Sequence, residues 1–204
     1  MRRKKMLLML LLIVALLMGF AACNSEEEDD DTVTYVPLSQ ITAIASSVGW
    51  ELEAENIVDG NPDTYWHSMS LPESIEEYGI DSHFATLDLG GTYNVTRLVY
   101  HGRMDQWTNS TITRYAIYTS TNADGPFTRV ASGEWSGVHQ ATEYANFDPV
   151  EARFIRLVAL EATAMDDDVA TVASADNNPD IFFAGIGMMR IGVLGQPDFD
   201  ENYR

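Results

Sequence analysis

The chain of 204 residues holds a single cysteine, Cys23, so no intramolecular disulfide can staple its fold. Lysine is confined to Lys4 and Lys5. Setting aside the basic cluster Arg2, Arg3, Lys4 and Lys5, 8 basic residues face 31 acidic ones, a formal charge of −23. A surface so acidic repels nucleic acid, anionic lipid and sulfated polymers, which leaves neutral partners or contacts made through local exceptions. No long stripe of apolar residues at helical spacing is present, and "LPESIEEYG" offers at most one short helical turn. There is no internal repeat, nucleophile elbow, paired-histidine zinc motif or phosphate loop. The adjacent acids Asp166–Asp168 read as a solvated loop and not as a pair of glycosidase carboxylates. A non-catalytic protein is expected.

The one long apolar run is Met6 to Phe20, preceded by "MRRKK" and followed by "FAAC". This is the three-part layout of a secretory signal, too short and wrongly flanked for a stable membrane span. Cys23 directly after Ala21 and Ala22 resembles the lipobox of bacterial lipoproteins, with Phe20 where leucine is usual. The resemblance implies removal of residues 1–22 and lipidation of Cys23; ordinary secretory cleavage is the alternative. "NSEEEDDD" then places six carboxylates in a row, a self-repelling tether over residues 23–36. It resembles the acidic signal that sends lipoproteins of Bacteroides-like bacteria to the outer face of the outer membrane. Contact with the membrane is then expected only through the lipid anchor.

From Pro37 the chain reads as short strands rich in Val, Ile, Tyr, Phe and Thr: "ATLDLG", "NVTRLVYHG", "TRYAIYTST", "FTRVASGEW" and "RFIRLVALEA". Between them lie the turn clusters "GGTYN", "NADGP" and "DPVEA". In "RYAIYTS", Tyr115, Ile117 and Thr119 alternate with Ala116, Tyr118 and Ser120, the period of a strand. Many short strands with regular turns predict an all-β protein, a β-sandwich or jelly roll. The segments "ITAIASS", "AENIVDGNPDTYWHS", "ATLDLGGTYNVTRLVYHGR", "RYAIYTSTNADGPFTRV", "FDPVEARFIRLVALEA" and "FAGIGMMRIGVLG" follow one another in order. Together they resemble the discoidin-like, coagulation factor 5/8 type C domains, and especially the family 32 carbohydrate-binding modules. The resemblance spans residues 37–195, leaves 196–204 as a polar tail, and implies an eight-stranded jelly-roll β-sandwich with ligand loops at one end.

"ENIVDGNPDTYWHS" packs oxygen donors into one turn: Asp59 and Asn61 carry side-chain oxygens and Thr64 a hydroxyl, while Gly60 and Pro62 bend the backbone. Calcium takes about six to eight such oxygens. In the family that this segment resembles, the carbonyl at Asn56 and donors at Asp59, Asn61 and Thr64 hold a structural calcium. A carbonyl and a glutamate of the last strand close the cage, and they fall here on Gly187 and Met188. A thioether is a poor partner for a hard cation. A weakened calcium site and a purely hydrogen-bonded turn both remain open at this point.

The same resemblance implies the ligand residues. His67 stands where galactose-binding relatives bond a sugar hydroxyl, although Ser70 replaces the aromatic that often follows. Arg103 stands where relatives read an axial hydroxyl, Asn109 where a companion amide is found, and Trp107 lies between them. Arginine supplies a rigid fork of donors, asparagine both donor and acceptor, and an aromatic face packs the C–H surface of a pyranose. Phe182 and Phe183 offer a second platform, with one expected inside and one at the rim. Trp66 reads as core, and His83, His101 and His139 as structural or exposed. The expectation is a monomeric surface module binding terminal galactose or N-acetylgalactosamine of a neutral glycan, beside an outer-membrane glycan-uptake complex. The alternative is a protein-binding discoidin module, acting as an adhesin or an accessory subunit.

Overall fold

In the computed structural model of this protein, residues 33–69, 83–166 and 169–195 are described. The signal segment, Cys23, the acidic run, Ser70, the helical turn expected in residues 71–79, Asp167, Asp168 and the tail 196–204 lie outside them. Ten strands follow in order: β1 (Val33–Tyr35), β2 (Thr42–Ala45), β3 (Trp66–His67), β4 (His83–His101), β5 (Ile112–Ser120), β6 (Thr128–Glu134), β7 (Thr142–Asp166), β8 (Val169–Ala173), β9 (Gly185–Ile186) and β10 (Met188–Leu194). All pair antiparallel. The path β1-β10-β4-β7-β5-β6, with β2 on β4 and β8 on β7, makes the main eight-stranded sheet; β3 and β9 pair by themselves. The all-β jelly roll expected from the sequence is the fold observed.

Two strands are far longer than the sequence suggested. "ATLDLG" and "NVTRLVYHG" are one strand, β4, and "DPVEA" lies inside β7. The turn residues serve here as kinks. The β4–β7 register shifts between Asp88 and Tyr93, where Gly90 has φ 72°. A left-handed glycine at a bulge bends a strand without ending it. Before the bulge, β4 pairs with β2 and the second half of β7; beyond it, with β10 and the first half of β7. Leu87 and Leu89 from one half and Leu98 and Tyr100 from the other join the same core. The fold also starts earlier than Pro37, because Val33–Tyr35 pairs with β10 and Val36 is buried.

The alternation of β5 is borne out on both faces. Tyr115 and Ile117 enter the main core, while Ala116 joins Phe84 and Val158 in a smaller cluster that Tyr118 flanks. Arg156 covers that outer cluster, its guanidinium 4.1 Å from the rings of both Phe84 and Phe127. At the end of β4 the core holds an aromatic stack, with Trp135 against Tyr100 at 4.8 Å and Tyr115 at 4.0 Å. Tyr100 of this stack precedes Arg103 by three residues in the chain.

Candidate functional site

Arg103 follows the end of β4 and is only 3% exposed. Burying a guanidinium demands partners, and Asp105 supplies them two residues later. Its two oxygens accept from Nε at 2.7 Å and Nη2 at 2.5 Å, a bidentate fork. The guanidinium also lies over the Tyr65 ring at 4.5 Å. Burial pushes the Asp105 carboxyl up, but the hydrogen bonds and charge of Arg103 outweigh it, so its pKa lies below the ordinary value. The Tyr65 hydroxyl and the Trp107 N–H add to that lowering. The fork leaves Nη1 of Arg103 without a hydrogen bond among the described residues.

The loop is fastened from its far side as well. His139 Nε2 donates to the Asp105 carbonyl at 2.7 Å, and Gln140 Nε2 donates to the carbonyls of Met104 and Asp105. Thr163 Oγ1 donates to the Thr108 carbonyl at 2.8 Å and accepts from the Thr111 N–H at 3.0 Å. Trp107 projects from this braced loop with 61% of its surface exposed. Asn109 is half-buried, and its amide has no hydrogen-bond partner among the described residues.

His67 reaches the site on β3. Its Nδ1 donates to the Ser68 carbonyl at 2.7 Å, so Nε2 accepts, and Ser110 Oγ donates to it at 2.9 Å. The ring is 3% exposed, and burial lowers its pKa to about 4. Trp50 packs edge-on to it at 5.0 Å and Phe183 lies 5.5 Å away, the two rings 5.7 Å apart. Trp50 is nonetheless 67% exposed. The turn that presents it is strained: Trp50 and Glu51 have φ 52° and 60°, a left-handed pair costing about 1–2 kcal/mol per residue. Gly49 lets the turn pack closely on the strand that carries His67, since a Cβ there would stand 2.9 Å from the Ser68 carbonyl oxygen.

Gly185 on β9 ties the two halves together. A Cβ on it would lie 3.1 Å from Arg103 Cδ and 3.5 Å from Ser110 Cβ. Its N–H donates to the Ser110 carbonyl at 2.8 Å and its carbonyl accepts from the Tyr100 hydroxyl at 3.0 Å. The aromatic stack of the core therefore props the site from below.

Of the residues expected from the sequence, Arg103, Trp107, Asn109 and Phe183 stand at this end of the molecule. Two expectations are corrected. Phe182 is completely buried, edge-on to His83 at 4.3 Å, and has no face to offer a ligand. His67 spends both ring nitrogens on Ser68 and Ser110, so it positions the aromatic rings and does not reach a ligand directly. Trp66 is core, as expected. Sequence reasoning missed Trp50, Tyr65, Asp105 and Ser110. For Trp50 a signal existed: a tryptophan in the polar stretch "SSVGWELEAEN" invites the argument made for Trp107.

The oxygen-rich turn closes on itself. Asp59 Oδ1 accepts from the Asn61 N–H at 2.8 Å, and Oδ2 from the Thr64 hydroxyl at 2.7 Å. That hydroxyl also lies 2.9 Å from the Asn61 carbonyl oxygen, so Asp59, Asn61 and Thr64 are gathered by their own hydrogen bonds. Asn61 Oδ1 accepts from the Asp63 N–H, and Asn56 Nδ2 donates to the Tyr65 carbonyl. The donors suit a hard cation in kind, all of them oxygen, with a single carboxylate among them. Gly187 stands before β10, its N–H on the His101 carbonyl, and a Cβ there would meet the Gly102 oxygen at 2.6 Å.

This chain belongs to the F5/8 type C domain family, which it matches over residues 40–173. It is 41% identical over 110 residues to a sialidase of Micromonospora viridifaciens, covering 52% of this chain and 16% of that protein. It is 35% identical over 130 residues to the A type blood N-acetyl-alpha-D-galactosamine deacetylase of Flavonifractor plautii, covering 62% of this chain and 16% of that protein. The match thus spans about a sixth of the length of these curated relatives. In fold the chain is similar to the family 32 CBM of C. perfringens NanJ in complex with galactose. That likeness has a TM-score of 0.58 at 24% identity and covers 78% of this chain and 98% of the other.

Two buried histidines make stability depend on pH. His83 is fully buried, neither ring nitrogen has a partner among the described residues, and burial, then the charge of His67, lowers its pKa to about 4. Below 6.5 the unfolded chain takes up protons that these folded histidines refuse until about 4. Their stabilising effect is therefore complete above 6.5 and lost as pH falls toward 4, at up to about 1.4 kcal/mol per pH unit for each. Thermal unfolding should show Tm falling between about pH 6.5 and 5, and His83→Leu should flatten that decline. An unchanged slope would mean that His83 is protonated in the folded protein.

Proposed function

We propose that this domain binds neutral carbohydrate without converting it, through a shallow site centred on Arg103, and that the sugar held there is terminal galactose or N-acetylgalactosamine. One observation carries the reading. The guanidinium of Arg103 is locked by Asp105 with Nη1 left unpartnered, on a braced loop that also carries Asn109 and the exposed ring of Trp107. A fixed cationic donor reads hydroxyl positions, and an aromatic face takes the C–H side of a pyranose. Trp50 and Phe183 supply a second aromatic wall across His67. A relative in fold bound to galactose and a relative in sequence named for N-acetylgalactosamine support the choice of sugar.

Each hydrogen bond in so shallow a site exchanges with water for about 0.5–1.5 kcal/mol, so affinity is expected at about 0.1–1 mM. Calorimetric titration with galactose, N-acetylgalactosamine, glucose and mannose should favour the first two. Arg103→Ala should abolish the response; because it also leaves the Asp105 carboxylate without its partner, Tm should fall, and binding is read well below the variant's own Tm. If no sugar, on a broad glycan array included, gives an Arg103-dependent response, the carbohydrate reading fails and a protein partner takes its place.

Two further features belong to this reading. Asp59, Asn61 and Thr64, with the Asn56 and Gly187 carbonyls, would hold a weakly bound calcium that stiffens the segment leading into β3. Millimolar calcium should raise Tm relative to EDTA, by an amount that Asp59→Ala removes; equal melting temperatures would leave the stretch as a hydrogen-bonded turn. Lipidated Cys23 would display the domain at the outer membrane surface. Cys23→Ala should move the protein from the membrane to the soluble fraction, and retention of that variant on washed membranes would refute the anchor.

A further inference from the structure

The path of the main sheet ends at β6, and among the described residues 142–152 of β7 pair with β4 on one side only. These two bare edges wall a groove of about 700 Å³, with Arg129 and Ser132 of β6 on one side, Asn146 and Asp148 of β7 on the other, and Tyr115 of β5 between them. The volume falls in the range of about 300–1,000 Å³ that ligands fill. Trp135 Nε1 donates to the Tyr144 carbonyl at 3.2 Å and ties the two edges together at one end.

The backbone along both edges is turned to the groove at alternate residues. The Ala141 carbonyl accepts from the Gly102 N–H and so faces β4; strand alternation then turns Tyr144 and Asn146 away from β4. On β6, the Trp135 N–H donates to the Thr113 carbonyl at 2.8 Å, toward β5, so the N–H and carbonyl of Ser132 face outward. A register slip opposite Ile117 and Tyr118 confines the regular part of this edge to residues 131–134. The side-chain observation is independent of the backbone. Tyr115 is 8% exposed, and its hydroxyl makes no hydrogen bond among the described residues. Its ring is stacked on Trp135 at 4.0 Å, and Gly133 gives the hydroxyl room, since a Cβ there would stand 2.9 Å from Oη. Burial, then the charge of Glu143, raises its pKa, so the group stays a donor in need of an acceptor.

We propose that this groove takes an extended, uncharged peptide segment of a partner protein, added as a strand along the β6 edge with serine or threonine facing Tyr115. The inference stands apart from the carbohydrate reading. An unpaired strand edge is a template for a further strand, and main-chain groups at Ser132 supply its hydrogen bonds while those at Asn146 line the opposite wall. The Tyr115 hydroxyl then reads one side chain of the segment. A sugar fits less well, because the described lining offers no open ring: Tyr115 is stacked on Trp135 and Phe147 packs against the core. Arg129 and Asp148 on opposite walls leave that lining without net charge, which suits an uncharged strand on a chain of formal charge −19.

The probe is a phage-displayed library of random heptapeptides, whose enriched members are then synthesised and titrated into isotope-labelled protein by NMR. Enriched sequences should carry serine or threonine and no net charge. They should shift the amide signals of residues 131–134 and of Asn146 while leaving those of Trp107 and Asn109 in place. Proline is tolerated on an edge strand where its nitrogen faces away from the ladder, so Ser132→Pro should keep the native spectrum elsewhere and weaken the peptides about tenfold. Tyr115→Phe keeps the ring on Trp135; it should leave Tm no lower and weaken the peptides about fivefold. Absence of enrichment, peptides that bind Ser132→Pro undiminished, or shifts confined to the Arg103 loop would overturn the proposal. It would also be overturned by a sugar that shifts the signals of residues 131–134, or by self-association that Ser132→Pro abolishes, which would make the occupant a glycan or a second copy. The Arg103 site is read separately, by sugar titration.

Discussion

The pairing of β4 with β7 is the constraint on which the rest of the molecule depends. Their register runs from His83 opposite Ala159 to His101 opposite Thr142, interrupted where Gly90 bends the ladder. Because the two strands stay hydrogen-bonded on both sides of the bend, their two halves close over one core without exposing new edges. The remaining strands add to this ribbon: β2 and β5 before the bend, β10 and β1 beyond it. The end of β4 then fixes the direction in which the Arg103 loop leaves the sheet.

From that point the site is built by short-range chemistry. A buried arginine needs an acid, and Asp105 stands two residues away to provide it. A loop so short would still swing were it not for His139, Gln140 and Thr163, which bind its carbonyls from behind. The glycines at 49 and 185 matter for what they leave out, since side chains there would push β3 off its turn or Arg103 off its shelf. Orientation of the donors is thus complete before any ligand arrives, which spares a ligand part of the ordering cost of binding.

Much of the fold was legible because strand residues and turn residues alternate at a spacing that few architectures share. What stayed hidden has definite physical causes. The same Gly, Pro, Asn and Asp that close a hairpin also kink a continuous strand, so "GGTYN" and "DPVEA" could not be told from turns by composition. Phe182 and Phe183 are neighbours of identical chemistry, and only tertiary packing, with Phe182 in the core against His83, tells which one is inside. The role expected of His67 came from resemblance, but its capacity for ligand is used by Ser68 and Ser110, a fact of tertiary packing. Arg103 and Trp107 were legible because a tryptophan in a polar loop and an arginine at a strand end have few indifferent explanations.

The distribution of the four tryptophans has a spectroscopic consequence. Trp66 and Trp135 lie in the core, at 0% and 8% exposure, and Trp50 and Trp107 stand largely in water, at 67% and 61%. Indole emission follows the polarity around the ring, so the intrinsic fluorescence of the native protein is a sum of two populations. The blue component reports the integrity of the sandwich, and the red component reports whatever covers the loop end. A single sample can thus register occupancy and unfolding as separate signals without an attached dye.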